Sequence, residues 1–360
     1  MRKRFPTDPG GDAPEPETTP VQRPRRVTIG DVAKRAGVST ATVSKYFGNR
    51  DYYVAEDTRK KIKAAVKELD YQPNAAARAL ARQRSQIIGV VVPSIVNPYY
   101  PELIAGIEEV TGERGYSLTV ATTHHDPERE SSALATMRQQ RVAGLILGVA
   151  PPNEAVRQVM ANGTEVVMVS RGTDLGSIDG VQVDNTRGAA LATTHLVEHG
   201  HRQIALISGP GVATSFSQRA AGYREVCQAA GVDMIECEVE ARYPTMAEGY
   251  AVAERLFAGH SPSAVFVASD LLAMGVLDFC EQRRIRVPQD LAIIGFDNIW
   301  VARLAQIALT TVDGATGEVG RTAAQRLISR LHPATEGEPE PREFSLLEPS
   351  LVIRRSCGCN

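Results

Sequence analysis

The sequence predicts a small all-α headpiece of the helix-turn-helix type, followed by an α/β core of two doubly wound lobes. Three observations support this fold class. Residues 25 to 84 hold 14 Lys and Arg against 6 Asp and Glu, whereas residues 85 to 360 hold 22 against 32. Two short capped helical segments follow residue 27, and from residue 87 onward apolar runs alternate with helical stretches. A basic head therefore precedes a larger acidic body.

The composition limits the class of protein. The chain has 360 residues, 43% of them hydrophobic, and a formal charge of -2, which suits two or three globular domains. No run approaches the ~20 apolar residues of a membrane span, and the start lacks the apolar segment of a signal peptide. We therefore expect a cytoplasmic protein with no membrane partner. Residues 1 to 24 are rich in Pro, Gly, Thr and Glu and predict a disordered arm.

The segment 28 to 47 predicts two short helices joined by a tight turn. Thr28 begins a capping-box pattern at the start of the first helix. Gly37 can adopt the left-handed conformation that ends this helix. Ser39 is then the N-cap of a second helix over residues 40 to 47. This arrangement is a helix-turn-helix.

The outward face of the second helix holds small, hydroxylated or basic side chains. Short hydroxyl side chains let a helix approach the DNA major groove closely, and Lys45 can reach a guanine there. A third helix over residues 56 to 69 adds five Lys and Arg outside an apolar stripe. The basic balance favours nucleic acid as the partner through counterion release, with a membrane surface as the alternative.

The body of the chain predicts parallel sheet covered on both faces. Its apolar runs are "IIGVVV", "SLTVAT", "GLILGV", "EVVMVS", "GVQVDN", "IALIS", "AVFVAS" and "LAIIGFD". These strands exceed the number that one compact sheet of this kind usually carries, so two lobes are predicted. Ligands in such folds lie at the carboxyl ends of the strands, which predicts a site in the cleft between the lobes.

Motifs in order from about Val27 to Ser356 resemble the lactose/galactose repressor family of bacterial transcription regulators. They include "VTIGDVAKRAGVSTATVSKYF", "IIGVVVPSIVNPYYPELIAGIEE", "GHRQIALISGP", "SAVFVASDLLAMGVL" and "VPQDLAIIGFDN". The resemblance implies a DNA-binding headpiece over residues 25 to 72, a hinge helix and linker over 73 to 84, and a periplasmic-binding-protein-like core for effector binding and dimerisation over 85 to 360. It further implies a homodimer on a palindromic double-stranded DNA operator, a small-molecule effector and no cofactor.

The resemblance also assigns the DNA contacts by position. They fall on Thr28, Ser39, Thr40, Ala41, Thr42, Ser44, Lys45, Thr58 and Leu80. Leu80 matches the hinge leucine that wedges into the minor groove, although a plain linker remains the alternative for this segment. Position 45 often holds Arg in the family. Lys45 cannot make the bidentate contact of a guanidinium, so we expect weaker discrimination between bases at this position.

The effector contacts are implied in the same way. The matching cleft positions are Tyr99, Tyr100, Ser170, Arg171, Arg219, Ser269 and Asp297. A guanidinium at 219 and a carboxylate at 297 can together hold the hydroxyls of a sugar. Phe216, Tyr243 and Trp300 could stack on a ring face or simply pack. The purine-binding member carries Arg six residues before its counterpart of Arg219, where this chain has Ala213, so we expect a carbohydrate effector.

Other functional classes are weaker. A solute-binding protein would need a signal peptide and has no use for residues 25 to 84, and we find no motif for a catalytic residue.

Two histidines at i, i+4 spacing, with a third nearby, imitate a metal site, but this segment matches an ordinary helix-to-strand join, so no metal is expected. These residues are His195, His199 and His201. The five cysteines, including the tail pair Cys357 and Cys359, fit reduced thiols. We expect repression, with activation as the alternative.

Overall fold

The computed structural model describes most of the chain. The described residues are 27–48, 54–71, 85–148, 154–169, 178–210, 214–241, 244–333 and 341–359. They belong to two compact units, which divide between residues 81 and 82.

Within the residues that the structure describes, the first unit contains three helices. They are α1 (Ile29–Ala36), α2 (Thr40–Gly48) and α3 (Glu56–Glu68). Their buried side chains form one small apolar cluster: Val32, Ala33, Ala36, Val43, Ile62 and Ala65. The three helices therefore share a single core, to which the predicted apolar stripe of the third helix contributes two buried residues.

Local capping sets the bounds of α1, as the sequence predicts. The Asp31 backbone N–H donates to Thr28 Oγ1 at 3.3 Å, and the Asp31 carboxylate accepts from the Thr28 N–H at 2.8 Å. Gly37 follows with φ of 68°, in the left-handed region that favours glycine. Ala55 precedes α3 and offers no side-chain cap, so the acidic first turn of α3 is left to interact with the helix dipole.

The second unit contains two six-stranded sheets, and the first sheet is entirely parallel. Its strand order is β11-β5-β4-β3-β1-β2. The strands are β1 (Ile87–Val92), β2 (Ser117–Thr122), β3 (Gly144–Leu147), β4 (Glu165–Val169), β5 (Asp179–Val183) and β11 (Phe344–Leu347). The helices of this lobe are α4 (Tyr99–Glu113), α5 (Pro127–Gln139), α6 (Glu154–Ala161) and α11 (Thr316–Leu331). Apolar clusters cover both faces of the sheet.

The second sheet forms the other lobe, with the order β12-β10-β9-β8-β6-β7. Its strands are β6 (Gln203–Ser208), β7 (Asp233–Glu238), β8 (Ala264–Val267), β9 (Ala292–Phe296), β10 (Thr310–Asp313) and β12 (Ser350–Val352). The helices are α7 (Asn185–Glu198), α8 (Thr214–Ala230), α9 (Met246–Gly259) and α10 (Asp270–Arg283). Only the pairing of β12 with β10 is antiparallel among the described strand pairs of this sheet. The predicted fold class of two doubly wound lobes is confirmed.

Four strands were not among the eight apolar runs. β7, β11 and β12 are sheet edges, where exposed or half-buried positions carry Asp, Glu and Ser, so no apolar run marks them. β10 lies inside its sheet but is Thr-rich, and its buried Thr310 hydroxyl is satisfied by the carbonyl of Arg354 at 3.1 Å. The partner of β11 is β5, more than 160 positions earlier in the chain, and short-range patterns do not reveal such a pairing.

The chain passes between the lobes after β5, β10 and β11. The first and third passages are joined, because the Asp184 N–H donates to the Leu347 carbonyl at 2.9 Å. The carboxyl ends of strands from both sheets meet beside these passages, which places a cleft there. Among the described helices, none is both long enough and apolar enough to cross a membrane.

Candidate functional site

The first candidate surface is the outward face of α2. Ser39, Thr40, Ala41, Ser44 and Lys45 are exposed, and Thr42 is half-buried. Val43, on the opposite side of the same helix, is buried in the cluster shared with α1 and α3. The burial of one apolar residue thus fixes which side of α2 is presented outward.

Hydroxyl groups organise the start of this helix. The Thr42 N–H donates to Ser39 Oγ at 3.1 Å, and the two side-chain oxygens lie 2.9 Å apart. The geometry of a first turn leaves the N–H groups of Thr40 and Ala41 without an intrahelical acceptor. Such N–H groups, together with the positive end of the helix dipole, suit a phosphate oxygen.

The remaining predicted DNA contacts are distributed over the headpiece. Thr28 is exposed at the start of α1, and Thr58 is half-buried on α3. Leu80 lies outside the described residues, as do the arm of residues 1 to 24 and the segment 73 to 84 predicted as hinge. The roles of these segments stay predictions.

The second candidate site is the cleft between the lobes of the core. Its lining residues are Asn97, Tyr99, Tyr100, His125, Gly148, Val183, Asn185, Ser215, Phe216, Arg219, Pro244, Ser269 and Asp297. The structure brings together the five predicted effector positions that it describes, Tyr99, Tyr100, Arg219, Ser269 and Asp297. Ser170 and Arg171, and also Tyr243 and Ala213, lie outside the described residues.

Arg219 is held by several groups at once. Its Nη1 lies 3.2 Å from Asp297 Oδ1, and the two side chains are only 8% and 6% exposed. Its Nε donates to Asn185 Oδ1 at 2.9 Å, and Nη1 donates to the Ala268 carbonyl at 2.6 Å. The guanidinium carbon also lies 3.6 Å from the centroid of the Phe296 ring, a cation–π contact. The cation is therefore fixed in position before any ligand enters.

Asp297 has an unusual backbone and an unusual carboxyl. Its φ of 117° lies in the left-handed region, which a non-glycine residue adopts only when its surroundings enforce it. Burial raises the pKa of this carboxyl, and the Arg219 cation opposes that rise. A strained, buried carboxylate facing a cleft is characteristic of a ligand-binding position.

Asp270 supports this part of the cleft from behind. It is fully buried and accepts hydrogen bonds from Thr311 Oγ1 at 2.6 Å and from the Ile299 N–H at 3.0 Å. Burial and the nearby Asp297 charge raise its pKa well above the usual range. A Cβ at Gly295 would overlap Asp270 Oδ1, so only glycine fits beside it. Asp270 thus fixes the loop that carries Asp297.

Ser269 presents a hydroxyl to the same cleft. Its oxygen lies close enough to Asp297 to stabilise the carboxylate. It nevertheless makes no hydrogen bond of good geometry to any described residue, and it is buried. A buried hydroxyl in this state favours a partner arriving from the cleft.

Aromatic rings form the apolar wall of the cleft. The centroids of Tyr99 and Tyr100 lie 5.1 Å apart in an edge-on arrangement. Phe216 lines the cleft, and its ring centroid is 5.7 Å from the Arg219 guanidinium carbon. Trp300, considered for stacking from the sequence, is 60% exposed and does not line the cleft.

Sequence reasoning assigned no effector role to several lining residues. Asn185 is the most important of them, because its side chain receives the Arg219 Nε–H and donates to Gln218 Oε1 at 3.1 Å. A signal existed, since Asn185 follows a buried strand directly in "VDN". His125 is another lining residue of the cleft.

The fold and the cleft together define a class, a ligand-binding two-lobed core joined to a helix-turn-helix headpiece. Residues 28–74 match the model of the bacterial regulatory proteins of the lacI family, and residues 193–357 match a periplasmic binding protein-like domain. This chain belongs to the lacI family of bacterial regulatory proteins, and the expectation of a DNA-binding transcriptional regulator is confirmed.

Individual relatives extend over most of the chain. The ribose operon repressor of Escherichia coli (strain K12) is 37% identical and covers 84% of this chain and 93% of its own length. The regulator DegA of Bacillus subtilis (strain 168) is 33% identical over 92% of this chain and 98% of its own. The HTH-type transcriptional repressor PurR of Pasteurella multocida (strain Pm70) is 33% identical over 91% of this chain and 98% of its own length. The Lac repressor dimer bound to operator and an anti-inducer has a TM-score of 0.79 and 27% identity, covering 92% of this chain and 99% of that chain.

Proposed function

We propose that this chain acts in the cytoplasm as a homodimeric repressor that places α2 in the major groove of a palindromic operator. The exposed set of small, hydroxylated and basic side chains on α2 supports this role, because none of them is acidic and the one long side chain is the cationic Lys45. A two-fold dimer supplies one such helix to each half-site. Thr28 and Thr58 would add backbone contacts from α1 and α3, and Leu80 would insert at the centre of the site.

The effector bound between the lobes is, in this proposal, a carbohydrate. The observation that carries it is the buried Arg219–Asp297 pair in the cleft. The guanidinium can donate hydrogen bonds and the carboxylate can accept them, so two neighbouring hydroxyl groups of a sugar can bind to this pair. The buried Ser269 hydroxyl adds a third polar contact, and Tyr99 with Tyr100 offers an apolar wall for a ring face. Ser170 and Arg171 would complete the polar contacts.

The sugar would act through the relation between the lobes. Tyr99 packs against the apolar cluster of the second lobe, whereas Tyr100 packs against that of the first. Arg219 and Asp297 both belong to the second lobe. A ligand touching these groups contacts both lobes at once, so its binding favours one arrangement of the core over another. This role needs neither a catalytic residue nor a cofactor, and the chain would act by binding alone.

The test pairs an effector screen with a charge-neutral variant. We expect Asp297→Asn to weaken binding of the sugar by about 10- to 100-fold, because a charge-assisted hydrogen bond is lost. Titration calorimetry would measure this with a panel of pentoses, hexoses and disaccharides, and with purine bases as a separate arm. Operator affinity of the ligand-free protein, measured by fluorescence anisotropy, should stay within a few-fold of the parent.

Asp233→Asn is the matched control, since Asp233 is an exposed aspartate on the edge strand β7. It should bind sugar as the parent does. Binding of a purine but of no sugar would overturn the carbohydrate assignment. A normal sugar response in Asp297→Asn would instead show that the effector does not use this carboxylate.

A further inference from the structure

Two histidines and a cysteine meet at the C-terminal end of α7. Cys359 Sγ lies 3.1 Å from His195 Nε2 and 3.1 Å from His199 Nε2. One ligand atom from each of the three residues lies within 4.8 Å of the other two. The histidines are four residues apart on one face of the helix, and Cys359 comes from a segment 160 residues further along the chain. Spacing along the sequence therefore does not reveal that Cys359 lies beside the two histidines.

The orientation of His199 is already fixed by a second contact. Its Nδ1 lies 2.7 Å from the His195 carbonyl oxygen. A carbonyl can only accept, so Nδ1 carries the proton and donates. Nε2 of the neutral ring then has its lone pair directed toward Cys359 Sγ. This arrangement, a ring N–H held by a backbone carbonyl with the other nitrogen free to coordinate, is typical of histidines that bind metal ions.

The third histidine of the sequence pattern takes no part. His201 Nδ1 lies 2.9 Å from Ser263 Oγ, away from the cluster. His201, the third histidine that the sequence offers, is therefore not placed as a ligand. Cys359 occupies that place in the structure. Cys357 stays in the core, where Thr310 Oγ1 donates to its Sγ at 3.2 Å.

We propose that His195 Nε2, His199 Nε2 and Cys359 Sγ bind one zinc(II) ion. Two imidazoles and one thiolate are a donor set that this borderline-soft ion prefers. Bonds of about 2.3 Å to sulfur and 2.0 Å to nitrogen in a tetrahedron put S and N about 3.5 Å apart. The 3.1 Å separations therefore need only a small outward adjustment. On binding, the Cys359 thiol loses its proton to solvent, and water completes the four ligands.

The site would join the end of the chain to the helix that reaches the cleft. α7 has 14 residues and is about 21 Å long at 1.5 Å per residue. His195 lies in its last turn and His199 is its C-cap residue, whereas its first residue, Asn185, accepts the Arg219 Nε–H. An ion that binds only the folded protein would raise the melting temperature of the second lobe. This inference concerns the opposite end of α7 from the cleft and does not depend on the identity of the effector.

The experiment uses tag-free full-length protein with its thiols kept reduced. We expect one zinc per chain after equilibration with zinc and gel filtration, measured by mass spectrometry of the metal. Chelator competition should give a submicromolar dissociation constant. Cobalt(II) in place of zinc should show a thiolate-to-metal charge-transfer band and the intense visible bands of a tetrahedral site. Zinc should also raise the melting temperature.

The variants separate this site from adventitious binding. Cys359→Ser and His199→Ala should each weaken zinc binding by more than the ~100-fold that loss of an outer contact can cost. Cys359→Ser should also remove the charge-transfer band. His199 is exposed and Cys359 is only half-buried, so folding should survive both changes. His201→Ala and Cys237→Ser are the matched controls and should bind as the parent does.

Two results would overturn the proposal. One is a parent protein that retains no stoichiometric zinc and shows no tetrahedral cobalt spectrum. The other is zinc binding of equal affinity in Cys359→Ser, which would assign the ion to other residues. Neither result would bear on operator recognition or on the sugar response.

Discussion

The headpiece and the core present their proposed functional residues in opposite ways. In the headpiece, Thr40, Ser44 and Lys45 are exposed on α2, and only Val43 of that stretch belongs to the apolar cluster. In the core, Arg219 and Asp297 are almost completely buried and bound to each other. The proposed DNA contacts therefore lie on an open surface, whereas the proposed effector contacts lie in an enclosed cleft.

This difference predicts how each region responds to substitution. An exposed contact residue can be replaced with little effect on stability, so its loss shows only in binding. A buried charge is held by groups that would be left unsatisfied without it, so its loss shows in both stability and binding. The size of the apolar core matters as well, because the described part of the headpiece has one small cluster and that of the core has four.

The largest effect is expected from removing the buried cation. Arg219→Met should lower the free energy of unfolding of the core by about 3 to 5 kcal/mol, because Asp297 is left buried without its partner. The carbonyl of Ala268 and the side-chain oxygen of Asn185 also lose a donor. Chemical denaturation of the core, followed by circular dichroism, measures the change. Arg219→Met combined with Asp297→Asn should recover part of the loss.

An exposed ion pair provides the control for Arg219. Arg157 Nε lies 3.0 Å from Glu154 Oε2, and both side chains are more than 60% exposed. Solvent screening and side-chain entropy leave such a pair worth about 0 to 1 kcal/mol. Arg157→Met should therefore change stability within that range. Equal losses in the two variants would contradict the claim that burial distinguishes them.

The next effect compares the same deletion in both regions. Ile62 in the headpiece and Ile293 in the core are both fully buried, so Ile62→Ala and Ile293→Ala should each cost about 2 to 5 kcal/mol locally. A unit of the headpiece's size has little stability in reserve. Ile62→Ala should unfold the headpiece and abolish operator binding while effector binding persists.

Ile293→Ala should leave both activities measurable at 25 °C, because its lobe has larger clusters. Two-transition thermal unfolding, with effector titration and operator anisotropy on the same samples, checks the pair. If Ile62→Ala also removed effector binding, the two units would not unfold independently.

The helices of the headpiece could be predicted from the sequence because short-range signals mark their ends. The capping box at Thr28, the left-handed Gly37 and the cap at Ser39 each act within a few residues, so spacing alone was enough. The same holds for strands that are buried on both faces, since a continuous apolar run marks them. Edge strands such as β7 carry no such mark, because solvent accepts polar side chains on them.

The cleft required more than local pattern. Arg219 and Asp297 are 78 positions apart in the chain, and only the family resemblance paired them. The role of Asn185 in holding Arg219 became visible only in the structure. The cluster of His195, His199 and Cys359 was missed for the same reason, since its members converge through the packing of the chain end on α7. Long-range convergence is fixed by tertiary packing, which no spacing rule encodes.

The smallest effect is expected at Lys45, and it tests whether an exposed contact residue can be lost without a loss of stability. Lys45→Ala should weaken specific operator binding by about 1 to 3 kcal/mol and relax preference at one base pair of each half-site, while headpiece stability changes by less than about 0.5 kcal/mol. Lys63→Ala is the control, because Lys63 is an exposed lysine on α3 and its loss removes one charge without touching α2. Anisotropy with the operator and with single-base variants of it would separate the two: Lys63→Ala should weaken all sequences alike, since a phosphate contact carries no base information. An unchanged ratio of operator to variant affinities in Lys45→Ala would mean that this side chain holds phosphate and that base reading belongs to other residues of the helix.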